Sequence, residues 1–234
     1  MQKQVYVFFD WQNVYMRARE AFHDPTVDPV TAGQVNPVDL GHVLTSDYAK
    51  RHPGEAYELG QIHIYRGAPL QQHDHKGYAA VRRQSAAWKA NTKVHLHSRD
   101  LRYPQGWGEP GCIGKPREKG VDVELAVDVV TFGLDGMYDV GIVMSADYDL
   151  VPALDYMVRR RISRGQPDVE VAAWKGDRNG ARPLRIKLPS RPLNCIWLDR
   201  QTYWGVVDDR DYTLPASEAT SRTSGPKPGG WLAR

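Results

Sequence analysis

Cysteine is scarce in this 234-residue chain, with Cys112 and Cys195 its only two. They allow at most one disulfide and form neither a CxxC pair nor a Cys/His zinc spacing. A disulfide scaffold and a zinc module are therefore excluded, and reduced structural thiols are expected. Long apolar runs are also missing: none approaches the roughly 18 to 20 residues of a membrane span. Met-Gln-Lys leads straight into a strand-like run without a signal-peptide pattern, so the expectation is a cytoplasmic protein with no membrane partner. No GxGxxG follows the first strand, which argues against a dinucleotide-binding domain. No internal repeat is present.

What the chain does contain is enough apolar material, 41% against 25% charged residues, to bury one sizeable core. Gln4 to Phe9 is a continuous apolar, β-rich run of the kind buried on both faces of a parallel sheet. Helical spacing follows from Trp11, breaks over the proline-bearing stretch 24–36, and resumes with Pro37 in a first turn. Further strands are expected at 61–66, 93–97, 139–144 and 168–173, separated by helices at about 74–90, 120–133 and 149–161. That alternation implies a parallel, three-layer α/β sheet, and right-handed crossovers bring every strand's carboxyl end to one edge. Residues 1–175 are expected to form the main domain, 176–216 an extension packed on it with a strand at 195–198, and 217–234 a flexible tail. The glycine- and proline-rich stretch 98–118 reads equally as a flap over a site or as a surface excursion.

Chemistry concentrates in acids at strand ends and at one helix start. Asp10 closes the first strand, and Asp147 follows the buried run Gly141 to Ser145. On a helical wheel Glu124, Asp128, Thr131 and Asp135 form a polar face. Asp122 falls about 100° from Val121, among Ala126, Val129 and Val130. A carboxylate on an apolar face is costly unless it caps the helix or meets a cation. Asp147 and Asp149 also suit N-caps of the next helix. Capping does not account for Asp10, Asp122 and Asp147 arriving on one edge from three separated segments. Three neighbouring carboxylates repel unless a cation sits among them, and an all-oxygen donor set favours Mg²⁺ or Mn²⁺ over zinc. Such a centre suits phosphodiester hydrolysis, with Asn13 one helical turn from Asp10 as a holder of water or phosphate. Asp128 is expected to be solvated or in a supporting position. A haloacid-type phosphatase would carry a second Asp two residues after the first, where this chain has Gln12.

Asp10-Trp11-Gln12-Asn13, then Lys119-Gly120-Val121-Asp122 with Leu125 to Asp128, then Met144-Ser145-Ala146-Asp147-Tyr148-Asp149-Leu150-Val151-Pro152 together resemble the NYN domain family of PIN-like nucleases. The resemblance covers about residues 3 to 175. It implies a Rossmann-like sheet of order 3-2-1-4-5 and a Mg²⁺- or Mn²⁺-dependent ribonuclease. It also implies that Asp10, Asn13, Asp122 and Asp147 form the catalytic site, with Asp149 as a further metal-side acid. Ala146 stands where glycine is usual, Tyr148 is bulky, and 24–36 and 98–118 are long insertions.

The formal charge of +3 hides an uneven spread, with acids gathered at 118–155 and bases elsewhere. Arg82, Arg83, Lys119, Arg159, Arg160 and Arg161 are candidates for contacts to an RNA backbone, which would make binding salt-dependent. Trp88 and Trp107 are candidate stacking platforms for single-stranded RNA, against a packing role. The histidine pairs His73/His75 and His95/His97 read as surface or core residues. The alternative function is a nuclease-fold RNA-binding or protein-interaction module without turnover, and homo-oligomerisation is left open.

Overall fold

The computed structural model describes residues 2–24, 26–29, 31–164, 167–176, 185–188 and 192–215. The expected tail at 217–234 lies outside the described residues. Six parallel strands form one sheet in the order β3-β2-β1-β4-β5-β6. They are β1 (Lys3–Asp10), β2 (Tyr57–Ala68), β3 (Val94–Asp100), β4 (Val140–Met144), β5 (Asp168–Trp174) and β6 (Cys195–Leu198). The implied 3-2-1-4-5 order is present, with β6 added beside β5. In the centre β4 and β5 are buried at every position, which is why β4 reads as an unbroken apolar run rather than an alternating one, while β5 also buries Asp168 and Glu170, each paired to an arginine.

Helices cover both faces. Alternate side chains of β1 divide between them: Val5, Val7 and Phe9 pack with α1 (Trp11–Phe22), α2 (Pro37–Arg51), Trp88 of α3 (His75–Lys89) and Tyr203 of α6 (Arg200–Val206). Tyr6 and Phe8 pack on the other face with α4 (Val121–Leu134) and α5 (Val151–Arg164). The local starts follow ordinary capping chemistry. Asn36 Oδ1 accepts from Val38 N at 2.9 Å ahead of α2, with Pro37 in its first turn, and Asp74 Oδ1 accepts from Gly77 N at 2.8 Å ahead of α3. No helix among the described residues is long and apolar enough to cross a membrane.

The C-terminal part closes back on the α1 side. Val35 bridges Val207, Asn36 N donates to Val206 O at 2.7 Å, and Asp208 N donates to Gln34 O at 3.2 Å. Tyr203 Oη lies 2.7 Å from His23 Nε2 and accepts from Gly33 N at 3.0 Å. The 98–118 stretch begins in β3 and leaves the sheet after Asp100. Paired backbone bonds between Arg102 and Arg117, at 2.8 and 2.9 Å, pinch it at the base.

The orientation of α4 decides between the two expectations for Asp128 in favour of a supporting position. The sheet side of α4 is Val121, Leu125, Val129 and Gly133, whereas Val123 and Val127 are more than half exposed. Glu124 and Asp128 flank the buried stripe. Asp128 is therefore not a solvated bystander: its Oδ2 accepts from Tyr65 Oη at 2.8 Å. A helical wheel gathers the polar face but does not tell which way it points; Tyr65 and His97 lie against it.

Candidate functional site

Every strand runs the same way, so the residues that follow β1 and β4 meet at one edge. Phe9 pairs with Met144 in register, which sets Asp10 beside Ser145. Asp10 is both the last residue of β1 and the N-cap of α1. Its Oδ1 accepts from Asn13 N at 3.2 Å, and its Oδ2 accepts from Ser145 Oγ at 2.8 Å. Ser145 in turn accepts from Asp147 N at 3.0 Å, and Asn13 Oδ1 accepts from Ala146 N at 3.1 Å. Two of these links, Ser145 to Asp10 and Ala146 to Asn13, lock the start of α1 to the loop after β4, and the other two brace each side. Asn13 spends its oxygen on that lock.

Asp147 caps the short 3₁₀ turn Tyr148–Leu150, accepting from Asp149 N at 2.9 Å. Asp122 stands in the first turn of α4, whose N-cap is Gly120 at φ 75° with no side-chain cap. A left-handed residue is required there, and glycine takes that conformation without the Cβ penalty. The uncapped helix start favours a negative charge on Asp122. Burial pushes the Asp10 carboxyl above the usual carboxylate range. Its Ser145 and Asn13 hydrogen bonds oppose that shift, and the charges of Asp147 and Asp122 reinforce it. Asp10, Asp122 and Asp147 therefore share one electrostatic environment. Asp149 is exposed on the rim.

Sequence reasoning missed Glu118. It leaves the long loop three residues before α4, and its Oε1 accepts from Gly67 N at 2.6 Å. With its amide oriented to donate, Gln12 Nε2 lies 3.1 Å from both Glu118 oxygens. Burial raises the Glu118 carboxyl, and Asp10 and Asp122 push it further the same way, against Gly67 N–H and the charge of Arg66. It is thus a fourth acid in the same field. Its one advance signal was an acid immediately before the Lys-Gly-Val-Asp motif. Gly67 makes the contact possible, because a Cβ there would sit 2.5 Å from Leu101 and 2.7 Å from Glu118 Cγ. Ser145 was likewise visible only as part of a motif.

Among the described residues the groups that bring three ligand-type atoms within 4.8 Å of one another are His97/Glu124/Asp128 and His52/Asp168/Glu170; Asp10, Asp122 and Asp147 do not close to that distance as a trio. In the first, His97 Nδ1 lies 3.3 Å from Glu124 and 3.6 Å from Asp128, and Arg99 pairs with Glu124. In the second, Asp168 accepts from Tyr48 Oη at 2.8 Å and pairs with Arg161 at 2.6 Å, while Arg51 holds Glu170. His95 and His97 do share a face, stacked about His63.

The basic candidates are not drawn to the acidic edge as a group. Lys119 is exposed beside Glu118. Arg83 donates to the Tyr212 and Thr213 carbonyls at 2.7 and 2.9 Å, whereas Arg82 lies exposed over Tyr78. Arg159, Arg160 and Arg161 lie near the far end of α5, roughly 15 Å along its axis from its start. Arg159 pairs with Asp155, Arg160 lies over Tyr156, and Arg161 reaches Asp168 at the opening of β5. Trp88 is 2% exposed and packs edge-on against Trp11, so it is a packing residue and not a stacking platform. Trp107 leans on Tyr103 in the long loop.

A protein of unknown function from Vibrio parahaemolyticus RIMD 2210633 is similar in structure at 16% identity, with a TM-score of 0.46. The match covers 85% of this chain and 94% of that one. No curated protein matches. The sequence pattern of the NYN domain matches residues 4–164, which span both halves of the Asp10/Asp147 edge and the start of α4. The chain belongs to the NYN domain family, within the PIN-like nuclease superfamily.

Proposed function

We propose that this protein is a metal-dependent ribonuclease hydrolysing phosphodiester bonds of single-stranded RNA at the carboxyl edge of β1 and β4. The observation that carries the reading is the state of Asp10. Its carboxyl is partly withdrawn from water and pressed by Asp147 and Asp122, yet only Ser145 Oγ and Asn13 N–H donate to it. No Lys or Arg pairs with Asp10, Asp122 or Asp147 among the described residues. Such a set calls for a cation.

The donors are all oxygen, which fits Mg²⁺ or Mn²⁺. Asp10, Asp122 and Asp147 would hold the ion, with Asp149 and Glu118 at its margin. When bound, such an ion orients a phosphodiester, eases deprotonation of water and neutralises charge developing on phosphate oxygens. The chain's own residues supply the rest. Ser145 and Asn13 fix Asp10 and the Asp147 loop in register. The α4 N-terminus steadies Asp122 and contributes positive potential toward a phosphate. Glu118, its carboxyl raised by burial, is placed to take up or release a proton near Asp10.

The test is incubation of wild type and Asp10→Asn with labelled RNA and DNA, in Mn²⁺ or in EDTA. Cleavage of RNA by wild type in Mn²⁺, lost in EDTA and in Asp10→Asn, is expected. Cleavage indifferent to both changes would overturn the mechanism. RNA binding without cleavage under every condition would leave a binding module in its place.

A further inference from the structure

Beside the acidic edge a cleft of about 540 Å³ opens between α1, the end of β2, α3 and the base of the 101–118 loop. That is the size range of small-molecule sites. Gln12 and Glu118 form the wall it shares with the acids, and Arg66, Gln84, Gln34 and Tyr15 line the rest. Arg66 is its unusual member. The side chain leaves β2 on the α1 side and sinks toward Trp88, whose ring lies 5.6 Å from the guanidinium carbon. Its Nη1 donates to Gln84 Oε1 at 2.6 Å. Its Nε is buried with no partner, and no carboxylate among the described residues pairs with it.

Arg66 is half-buried as a whole, and a partly desolvated cation without a counter-ion is costly. The cost shows in the titration of Arg66, which burial pushes down to about 10 while Glu118 opposes from a distance. Glu118 itself is occupied by Gly67 N and Gln12. A neutral Gln at 84, where a Glu would have formed a buried salt bridge of the same shape, leaves the positive charge available to a ligand in the cleft. Arg117 adds an exposed cation at the rim. Gln84 Nε2 donates to Gln34 Oε1 at 3.4 Å and Gln12 Nε2 is turned to Glu118, so the donor of Gln34 and the acceptor of Gln12 are the amide groups left to meet a base edge.

We infer that this cleft is a nucleotide subsite of the nuclease, in which Arg66 takes an RNA phosphate adjacent to the scissile one and the glutamine amides face its base. The inference rests on the ribonuclease reading for the identity of the anion, while the demand for an anion rests on Arg66 alone. Guanidinium is suited to phosphate because its planar fork matches two oxygens at once.

The test uses the full chain in EDTA, where binding is read without cleavage, with a short fluorescein-labelled single-stranded RNA as probe and anisotropy as readout. Gln84→Glu supplies the missing counter-ion in place. It is expected to raise the thermal midpoint while weakening RNA binding by about tenfold or more, the scale of a lost charge-assisted hydrogen bond. Arg66→Met is expected to weaken binding similarly. Should that variant unfold, Gln84→Glu still decides. Gln84→Glu with RNA affinity within about twofold of wild type would overturn the subsite. Cleavage in Mn²⁺ separates the two readings. Asp10-dependent cleavage with a normal Gln84→Glu affinity sinks the subsite alone. Weakened Gln84→Glu binding in a chain that never cleaves supports the subsite as an RNA-binding cleft and sinks the nuclease reading.

Discussion

His63 is predicted to make the fold acid-sensitive, and the size of the effect follows from its surroundings. The ring is 3% exposed, stacked between Phe8 and His95 at 5.3 and 5.0 Å, with Phe132 of α4 at 5.0 Å. Its Nδ1 lies 3.1 Å from His97 Nε2 and its Nε2 lies 3.0 Å from Gln61 Oε1. Burial pushes the imidazole down to about 3, and the neighbouring His97 and His95 push the same way. The unfolded chain holds the ordinary value near 6.5. Above about pH 6.5 both states are neutral at this residue and the native state keeps its full stability. Below it the unfolded chain takes up a proton that the native ring refuses, so stability falls with pH until His63 itself titrates near 3. The slope approaches about 1.4 kcal/mol per pH unit, giving a loss of about 2 kcal/mol by about pH 5. Urea unfolding of wild type and His63→Gln across pH 7.5 to pH 5 reads this group together with its coupling to His95 and His97. The variant is expected to lose about 2 kcal/mol less than wild type over that span. Parallel stability curves would refute the argument.

Three further outcomes are expected. Mn²⁺ should raise the thermal midpoint of wild type, by the equivalent of about 2.7 kcal/mol at a hundredfold excess over its dissociation constant. Asp10→Asn should abolish most of that rise, as differential scanning fluorimetry would record. Gly67→Ala should cost about 1 to 3 kcal/mol through overpacking against Leu101 and Glu118, and it should lower cleavage more than RNA affinity if Glu118 works on the reacting phosphate. Chemical denaturation and kinetics on the same sample read both. Arg83→Ala should free residues 208–215 to limited proteolysis while leaving the salt dependence of RNA binding unchanged. A shallower salt slope would return Arg83 to the RNA-contacting set.

The central architecture was legible because parallel strands buried on both faces must be apolar throughout. Val5 to Phe9 and Gly141 to Met144 obey that rule, while Asp168 to Trp174 departs from it at Asp168 and Glu170, which are buried against Arg161 and Arg51. The first motif acids were legible too, because a carboxylate ending a buried strand is costly unless it caps a helix or faces a cation. What stayed hidden depended on partners far along the chain. Glu118 acquires its place from the amide of Gly67, and Asp128 from the hydroxyl of Tyr65, so neither has a local signature. The arginines of α5 were expected to contact an RNA backbone on the strength of their charge alone. A helix running back from the carboxyl edge carries its later residues toward the opposite edge, where Arg161 meets Asp168. Trp88 and Arg66 likewise show their roles only once α3 has been laid against β2.

The backbone links from Gln34 to Asp208 and from Asn36 to Val206 carry a meaning for biosynthesis. One wall of the cleft is laid down early in translation but tied in place by residues emerging about 170 positions later. Domains assemble as the chain leaves the ribosome, amino end first. On a nascent polypeptide the Asp10, Asp122 and Asp147 segments are therefore all exposed to the cell before the Gln34 wall is fastened. A chain released before Val206 would carry every family motif and lack a finished cleft, so the carboxyl end decides when this surface is complete.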